Sequence, residues 1–252
     1  MSIERATEIL SAAKSALFIT GAGISAASGI PTYRGVGGLY VGNATEDGIR
    51  IEEALSGPMF YLKPDLTWKY IHQIERACRG ARFNDAHAAV AWIERRIERV
   101  WVLTQNVDGF HRAAGSTNVI DIHGDIRRLI CPECSYEEVV DDYEHLAPCP
   151  RCPQCESVIR PDVVLFGEIL PTKKIEAYRR ELDRGFDAVV SIGTSAQFPY
   201  ITDPVVAAAR RGVPTIDINP ERTPLSDVVA VRIAMPAVEA LQAITNKMGR
   251  DA

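Results

Sequence analysis

Apolar residues recur along this chain in two patterns, and their alternation gives the fold class. Ile3, Ala6, Ile9, Leu10 and Ala13 are spaced as one face of a helix over residues 3–15. Continuous apolar runs of strand length follow at 16–20, Val100–Thr104, Val119–Ile122, Phe186–Ile192 and Pro214–Asn219, with a further one at Val228–Ile233. Helical patterns separate them at Ala86–Arg96, 173–184, 202–211 and 236–248. Strands that are apolar throughout, rather than alternating, are buried on both faces. Helices between such strands predict an α/β fold, a Rossmann-like parallel sheet with helices on both faces.

Two stretches leave this alternation. Residues 36–80 read as a helical insertion, with Ile51–Leu55 and Met59–Leu62 separated by Gly57-Pro58, and a longer helix from Pro64 to Cys78. Leu66, Trp68, Tyr70, Ile71, Ile74 and Ala77 share one broad apolar face of that helix. Residues 127–162 hold five of the six cysteines and few apolar residues. The expected organisation is therefore a Rossmann-like domain from 1–35, 81–126 and 163–252. A small domain adds the helical insertion 36–80 to a metal-type module at 127–162.

Composition narrows the class. With 252 residues, 46% hydrophobic and 24% charged, the chain can bury a large core and is neither disordered nor fibrous. No apolar run reaches the roughly 18 residues of a membrane span. A net charge of −5 speaks against a general nucleic-acid binder. MSIERATEILSAAKSALF lacks the apolar core of a signal peptide, so a cytoplasmic, reducing location is expected. In that setting clustered cysteines read as metal ligands. Cys131 and Cys134 form one Cys-x-x-Cys knuckle, and the second is either Cys149 with Cys152 or Cys152 with Cys155. The latter gives an interval of 17 residues, inside the usual zinc spacing of about 15–20. Four thiolates close a tetrahedral zinc and leave no place for water, so the metal would be structural.

Polar residues stand where the apolar strands stop. The first strand breaks into Gly21-Ala22-Gly23, matching the weak G-x-G-x-x-G/A pattern at Ala26. Glycines there let backbone approach phosphate, and the N–H groups of a following helix point at the anion. That helix is cut short by Ser28-Gly29-Ile30-Pro31, and no acidic residue closes a second strand at dehydrogenase distance. Nucleotide binding follows from this, and hydride transfer does not. The next strand runs into Gln105-Asn106-Val107-Asp108, another into His123-Gly124, another into Gly193-Thr194-Ser195, and a fifth into Asn219. Ligands of open parallel sheets bind at that carboxyl edge. Imidazole titrates near neutrality, so His123 is suited to accept a proton from a hydroxyl. His87 reads as a packing or hydrogen-bonding histidine.

GAGISAASGIPTYRG, TQNVDGFHRAAG, His123-Gly124, the cysteine block, RPDVVLFGE and GTSAQFPYI closely resemble, in order, the signatures of the sirtuins, NAD-dependent protein-lysine deacylases. The resemblance spans nearly the whole chain and implies NAD as co-substrate. Gly21, Ala22, Gly23, Ser25, Ile30, Tyr33, Arg34, Gln105, Asn106, Asp108, Gly193, Thr194, Ser195 and Asn219 would line its site. It implies that Asn106 positions the ribose region and a water, that Asp108 meets the nicotinamide carboxamide, and that His123 is the general base. Products would be nicotinamide, O-acyl-ADP-ribose and free lysine. It favours Cys131, Cys134, Cys152 and Cys155 as the zinc ligands, since Cys155 closely precedes Arg160-Pro161. It implies an acyl-lysine peptide pairing as a strand with Val164, Phe166 and Gly167. The oligomeric state is not given by the sequence, with a monomer favoured. Sirtuins selective for malonyl or succinyl groups carry Tyr-x-x-Arg where this chain places Ile71 and Ile74. Without a cation a buried carboxylate is costly, so uncharged acyl groups are expected. Tyr33 replaces the usual Phe, and GTSAQFPYI departs from GTSxxVxP, with proline one place early. ADP-ribosyl transfer to protein, NAD hydrolysis and non-catalytic binding of NAD or acyl-lysine are the rival readings. His123 disfavours the first, His123 with Asn106 disfavours the last, and NAD-degrading relatives usually carry further domains that 252 residues are not expected to hold.

Overall fold

The computed structural model describes residues 2–30 and 45–249. They divide into two compact units. The first comprises Met1–Ser28, Arg82–Ile122 and Thr172–Ala252, and the second Gly29–Ala81 and His123–Pro171.

The first unit is a six-stranded parallel sheet. In chain order its elements are α1 (Ser2–Ala12), β1 (Ser15–Thr20), α5 (Asp85–Glu94), β2 (Arg99–Thr104), α6 (Phe110–Ala113) and β3 (Val119–Asp121), then α7 (Thr172–Arg184), β7 (Ala188–Ile192), α8 (Pro199–Arg210), β8 (Thr215–Ile218), β9 (Val231–Ile233) and α9 (Ala237–Met248). The strand order is β3-β2-β1-β7-β8-β9. Every residue of β1, β7 and β8 is buried, as their unbroken apolar runs require. Ala16, Phe18, Val102, Val190, Ile192, Ile216 and Ile218 join residues of α1, α5 and α9 in one core. Helix α8 packs on β7 and β8, and α7 on β3. The chain runs outward from β1 through β2 to β3, then resumes at β7 on the other side of β1. This reversal makes the carboxyl ends of β1 and β7 the switch point, where open α/β sheets bind ligands.

The second unit carries α2 (Ile51–Ala54), α3 (Gly57–Leu62), α4 (Pro64–Cys78), β4 (Gly124–Ile130), β5 (Glu137–Val139) and β6 (Arg160–Val163). Its strands form an antiparallel sheet in the order β5-β4-β6. Trp68, Ile71 and Ile74 of α4 share a core with Phe60, Leu129, Tyr143, Ile159 and Leu165, so the helical insertion and the cysteine segment are one body. The Trp68 Nε1–H donates to the Ile159 carbonyl at 2.8 Å, fixing α4 against the end of the cysteine segment.

The segment from 163 onward, expected in the Rossmann-like domain, follows β6, whose residues Arg160–Val163 pair with β4, and the unit boundaries fall at 122/123 and 171/172. Residues 123–126 and 163–171 therefore belong to the second unit. The cause lies in side chains that a short apolar run does not advertise. Arg160 grips Glu168 with two bonds, at 2.6 and 2.9 Å, and donates to the Val163 carbonyl at 2.6 Å, folding the segment on itself. Phe166 N–H then donates to Leu55 O, and Gly57 N–H to Phe166 O.

Candidate functional site

In the first unit four adjacent strands deliver polar residues to one edge. Thr20, Thr104 and Ile192 end β1, β2 and β7 in register, so Gly21, Gln105 and Gly193 leave the sheet side by side. The glycine turns after β1 and β7 touch backbone to backbone. Gly23 N–H donates to Gly193 O at 2.9 Å, and Gly193 N–H to Ile218 O at 2.9 Å. A Cβ on Gly23 would lie 2.6 Å from the Gly193 Cα, and one on Gly193, at φ +58°, would lie 2.6 Å from the Gly23 Cα. Close packing therefore already requires these glycines, before any phosphate approaches. The helix predicted after the turn is two short 3₁₀ turns, Ala22–Ile24 and Ala26–Ser28.

Ser25, 1% exposed, organises the polar centre. Its hydroxyl donates to Asp108 Oδ2 at 2.7 Å and accepts from Asn106 Nδ2 at 3.0 Å. That amide also donates to Gly21 O at 3.2 Å. The Ser25 proton is thus committed to Asp108, so His87 Nε2, 3.4 Å from Ser25 Oγ, is the donor. His87 Nδ1 then accepts the Asn84 N–H at 3.3 Å, completing the capping box that starts α5. Burial pushes His87 down to about 4, which keeps it neutral, as this pattern demands. Phe110 N–H donates to Asp108 Oδ1 at 3.0 Å, so the carboxylate is held at both oxygens. On the far side of the switch point Asn219 Nδ2 donates to Thr194 O at 2.9 Å, and both residues are buried, while Ser195 is exposed.

The sequence reading missed Asn84 and His111, and gave Ser25 no partner. The Asn-x-x-His spacing at 84–87 is a capping signal visible in sequence. The long-range bonds to Ser25 have no such mark. The early proline of GTSAQFPYI has a plain effect: Pro199 opens α8, so the helix starts ahead of its predicted position at 202. Phe198 is left 41% exposed, stacked on the Tyr200 ring at 5.5 Å.

In the second unit His123 opens the second of its two chain segments, half-buried, with its carbonyl accepting from Val164 N–H at 2.8 Å. Gly124 must follow it, because at φ +100° a Cβ would lie 1.8 Å from the Asp162 carbonyl oxygen. Val164 and Phe166 are half-buried and Gly167 is exposed at φ +81°. Phe166 has both backbone groups engaged by Leu55 and Gly57, so a peptide strand cannot pair through them. Ile71 and Ile74 are 4% and 7% exposed within the second core. The one cation near Phe60 in that core among the described residues is Arg160, at 5.1 Å from the ring, and it is spent on Glu168. Tyr70 bonds to Asp47 through its hydroxyl. Ile30 is half-buried, and Tyr33 and Arg34 lie outside the described residues.

The sulfurs of Cys131, Cys134, Cys152 and Cys155 all lie within 4.8 Å of one another, with Cys131–Cys155 and Cys134–Cys152 at 3.5 Å. Tetrahedral zinc with bonds of about 2.3 Å has sulfur–sulfur edges of about 3.8 Å. The four residues fit it, and Cys149 is not among them. Glu133 N–H and Gln154 N–H donate to Cys131 and Cys152 Sγ at 3.4 Å, which favours the thiolates a metal needs.

A Sir2 family profile matches residues 21–199. The NAD-dependent protein deacylase 2 of Pseudomonas aeruginosa is 45% identical over 251 residues, covering 98% of each chain. Its namesake from Pseudomonas syringae pv. tomato is 49% identical over 223 residues, covering 87% of this chain and 89% of the relative. A solved Sir2 homologue–NAD complex superposes with a TM-score of 0.87 at 32% identity, covering 98% of this chain and 94% of that one. A Sir2–p53 peptide–NAD+ structure gives 0.84 at 27% identity, covering 99% and 100%.

Proposed function

The chain belongs to the Sir2 family, and we propose that it is an NAD-dependent protein-lysine deacylase acting on uncharged acyl groups. The observation that carries the reading is the Ser25–Asn106–Asp108 cluster beside paired glycine turns at the switch point of the sheet. NAD, when bound, supplies an electrophilic sugar carbon and nicotinamide as leaving group. Ala22, Thr194 and Ser195 present backbone and hydroxyl donors to the dinucleotide, while Gly21, Gly23 and Gly193, whose N–H groups bond to the Ile192, Gly193 and Ile218 carbonyls, let the main chain come close to it, and Asn219 faces its adenosine end. Gln105 lines the same edge. Asp108, held at both oxygens, accepts the nicotinamide amide N–H. Asn106 has its amide nitrogen fixed by Gly21 and Ser25, which leaves its Oδ1 to orient the ribose and a water. Ile30, Tyr33 and Arg34 are assigned to NAD on the family resemblance alone. The acyl-lysine carbonyl oxygen would bond to the sugar carbon as nicotinamide leaves. His123 would take the proton from a ribose hydroxyl so that this oxygen attacks the acyl carbon, and one water would then release free lysine and the acyl ester.

The acyl-lysine segment adds beside Val164 and Gly167, with the Val164 and Phe166 side chains along its stem. Ile71 and Ile74 stand in an apolar core where the cations over its aromatic rings, Arg160 and Lys69, are paired with Glu168 and with Glu46 and Asp47, which supports the preference for uncharged groups. Cys131, Cys134, Cys152 and Cys155 hold a structural zinc. Thiols gathered for a metal suit a reducing compartment, which supports a cytoplasmic protein. None of the described helices is long and apolar enough to cross a membrane. We place the substrate among acylated proteins rather than nucleic acids, given the net charge of −5.

The test is mass spectrometry of one lysine peptide carrying acetyl, butyryl, myristoyl or succinyl groups, with NAD and with His123→Ala as control. NAD-dependent loss of the uncharged groups, absent in the control, is expected. Efficient succinyl removal would overturn the reading of Ile71 and Ile74. Nicotinamide release with every acyl group intact would favour ADP-ribosyl transfer or NAD hydrolysis.

A further inference from the structure

Thr20, the last residue of β1, holds both ends of the loop that carries Asn106 and Asp108. Its carbonyl accepts the Gln105 N–H at 3.0 Å, at the start of the loop. Its hydroxyl meets His111 Nε2 at 2.9 Å, on α6, just past the loop's end. Thr20 is fully buried and His111 is 2% exposed. The His111 ring stands edge-on to His87 at 5.0 Å, and among the described residues its Nδ1 has no hydrogen-bond partner. A buried orphan acceptor is tolerated better than a buried orphan donor. The proton therefore sits on Nε2, and His111 donates to the Thr20 hydroxyl. Burial also drives the ring well below the usual histidine range, in keeping with a neutral donor.

We propose that His111 is a positioning residue for NAD, clasping the 105–110 loop to the end of β1 so that Asn106 and Asp108 are presented together. It rests on the NAD reading of the site given above. His111 does not touch the reacting atoms. Cutting the clasp frees the far end of the loop while the Gln105 bond and the Ser25 centre remain. The loss therefore appears in co-substrate affinity more than in turnover.

The experiment compares native protein with His111→Phe, His111→Gln and Thr20→Val. ADP-ribose affinity is measured by titration calorimetry, KM for NAD and kcat on an acetylated peptide, and melting temperature on each variant. Phenylalanine keeps the ring and loses the donor, glutamine returns an N–H near Nε2, and valine removes only the acceptor. His111→Phe and Thr20→Val are each expected to weaken ADP-ribose about tenfold. KM should rise by more than kcat falls, and His111→Gln should recover most of the affinity. The double variant should be no weaker than either single one, since both cut one bond. ADP-ribose affinity unchanged in both single variants overturns the proposal, whatever happens to the melting temperature. Additive losses overturn it too. Failure of the native protein to bind ADP-ribose is a different result, which sinks the NAD reading itself.

Discussion

In the first unit β1, β7 and β8 are buried at every residue, and a large aliphatic core backs them. In the second, β5 is exposed throughout and β4 is buried at only two positions, Gly124 and Leu129. There, order comes from the four-cysteine cluster, the Arg160–Glu168 pair and buried aromatics anchored to carbonyls, such as Trp68 on Ile159. The first unit thus sets polar groups on a scaffold that apolar burial alone can hold. The second fixes its shape by polar and metal-type contacts that are lost all at once when one member goes.

The strongest way to break the contrast is to remove the metal. A chelator, or Cys152→Ala, should abolish protection from hydrogen exchange across β4–β6 and cut deacylation by about a hundredfold or more. The strands of the first unit should stay protected. Melting of both units together would sink the distinction. Gly193→Ala tests the sheet side, where a Cβ meets backbone rather than a flexible side chain. ADP-ribose affinity should fall about a hundredfold, with exchange in the second unit unchanged.

Phe18→Ala should cost the first unit about 3–5 kcal/mol, read by denaturant titration. Acid should act on the same unit. His87 and His111 are pushed down by burial, to about 4 and about 3, from an ordinary value of 6.5. Below pH 6.5 the unfolded chain binds protons that the folded histidines refuse, so stability falls as pH drops toward 4. It is flat above 6.5 for these groups. His87→Phe should lessen the slope, and an unchanged slope would remove these histidines from the account. Trp68→Phe is the mildest change, losing one buried bond at a cost of about 1–2 kcal/mol to the second unit alone.

The same contrast explains what could be read in advance. Leu17-Phe18-Ile19 and Val189-Val190 announce buried strands because both their faces are apolar, and the polar residues following them mark the ligand edge. Cys131, Cys134 and Cys152 were legible from spacing, since Cys152 belongs to either choice of second knuckle. The choice against Cys149 on geometric grounds needed the sulfur positions, since both intervals are plausible lengths of chain. The pairing of Arg160–Val163 with β4 was not legible, because it depends on Arg160 and Glu168 meeting after the chain has turned. His111 was hidden for a related reason. Its partner Thr20 is far away in sequence, and no local period records such a bond.

The contact between Gly23 and Gly193 bears on how this protein can change over generations. Each glycine is confronted by main chain, not by a side chain that could be trimmed elsewhere. A substitution at one position therefore has no suppressor at the other, where the residue is already the smallest available. In a saturation library both sites should be intolerant and show no rescuing pairs between them, unlike neighbouring core positions where a large and a small residue can trade places. Drift in this lineage would then accumulate around the two turns and leave them behind as a fixed point.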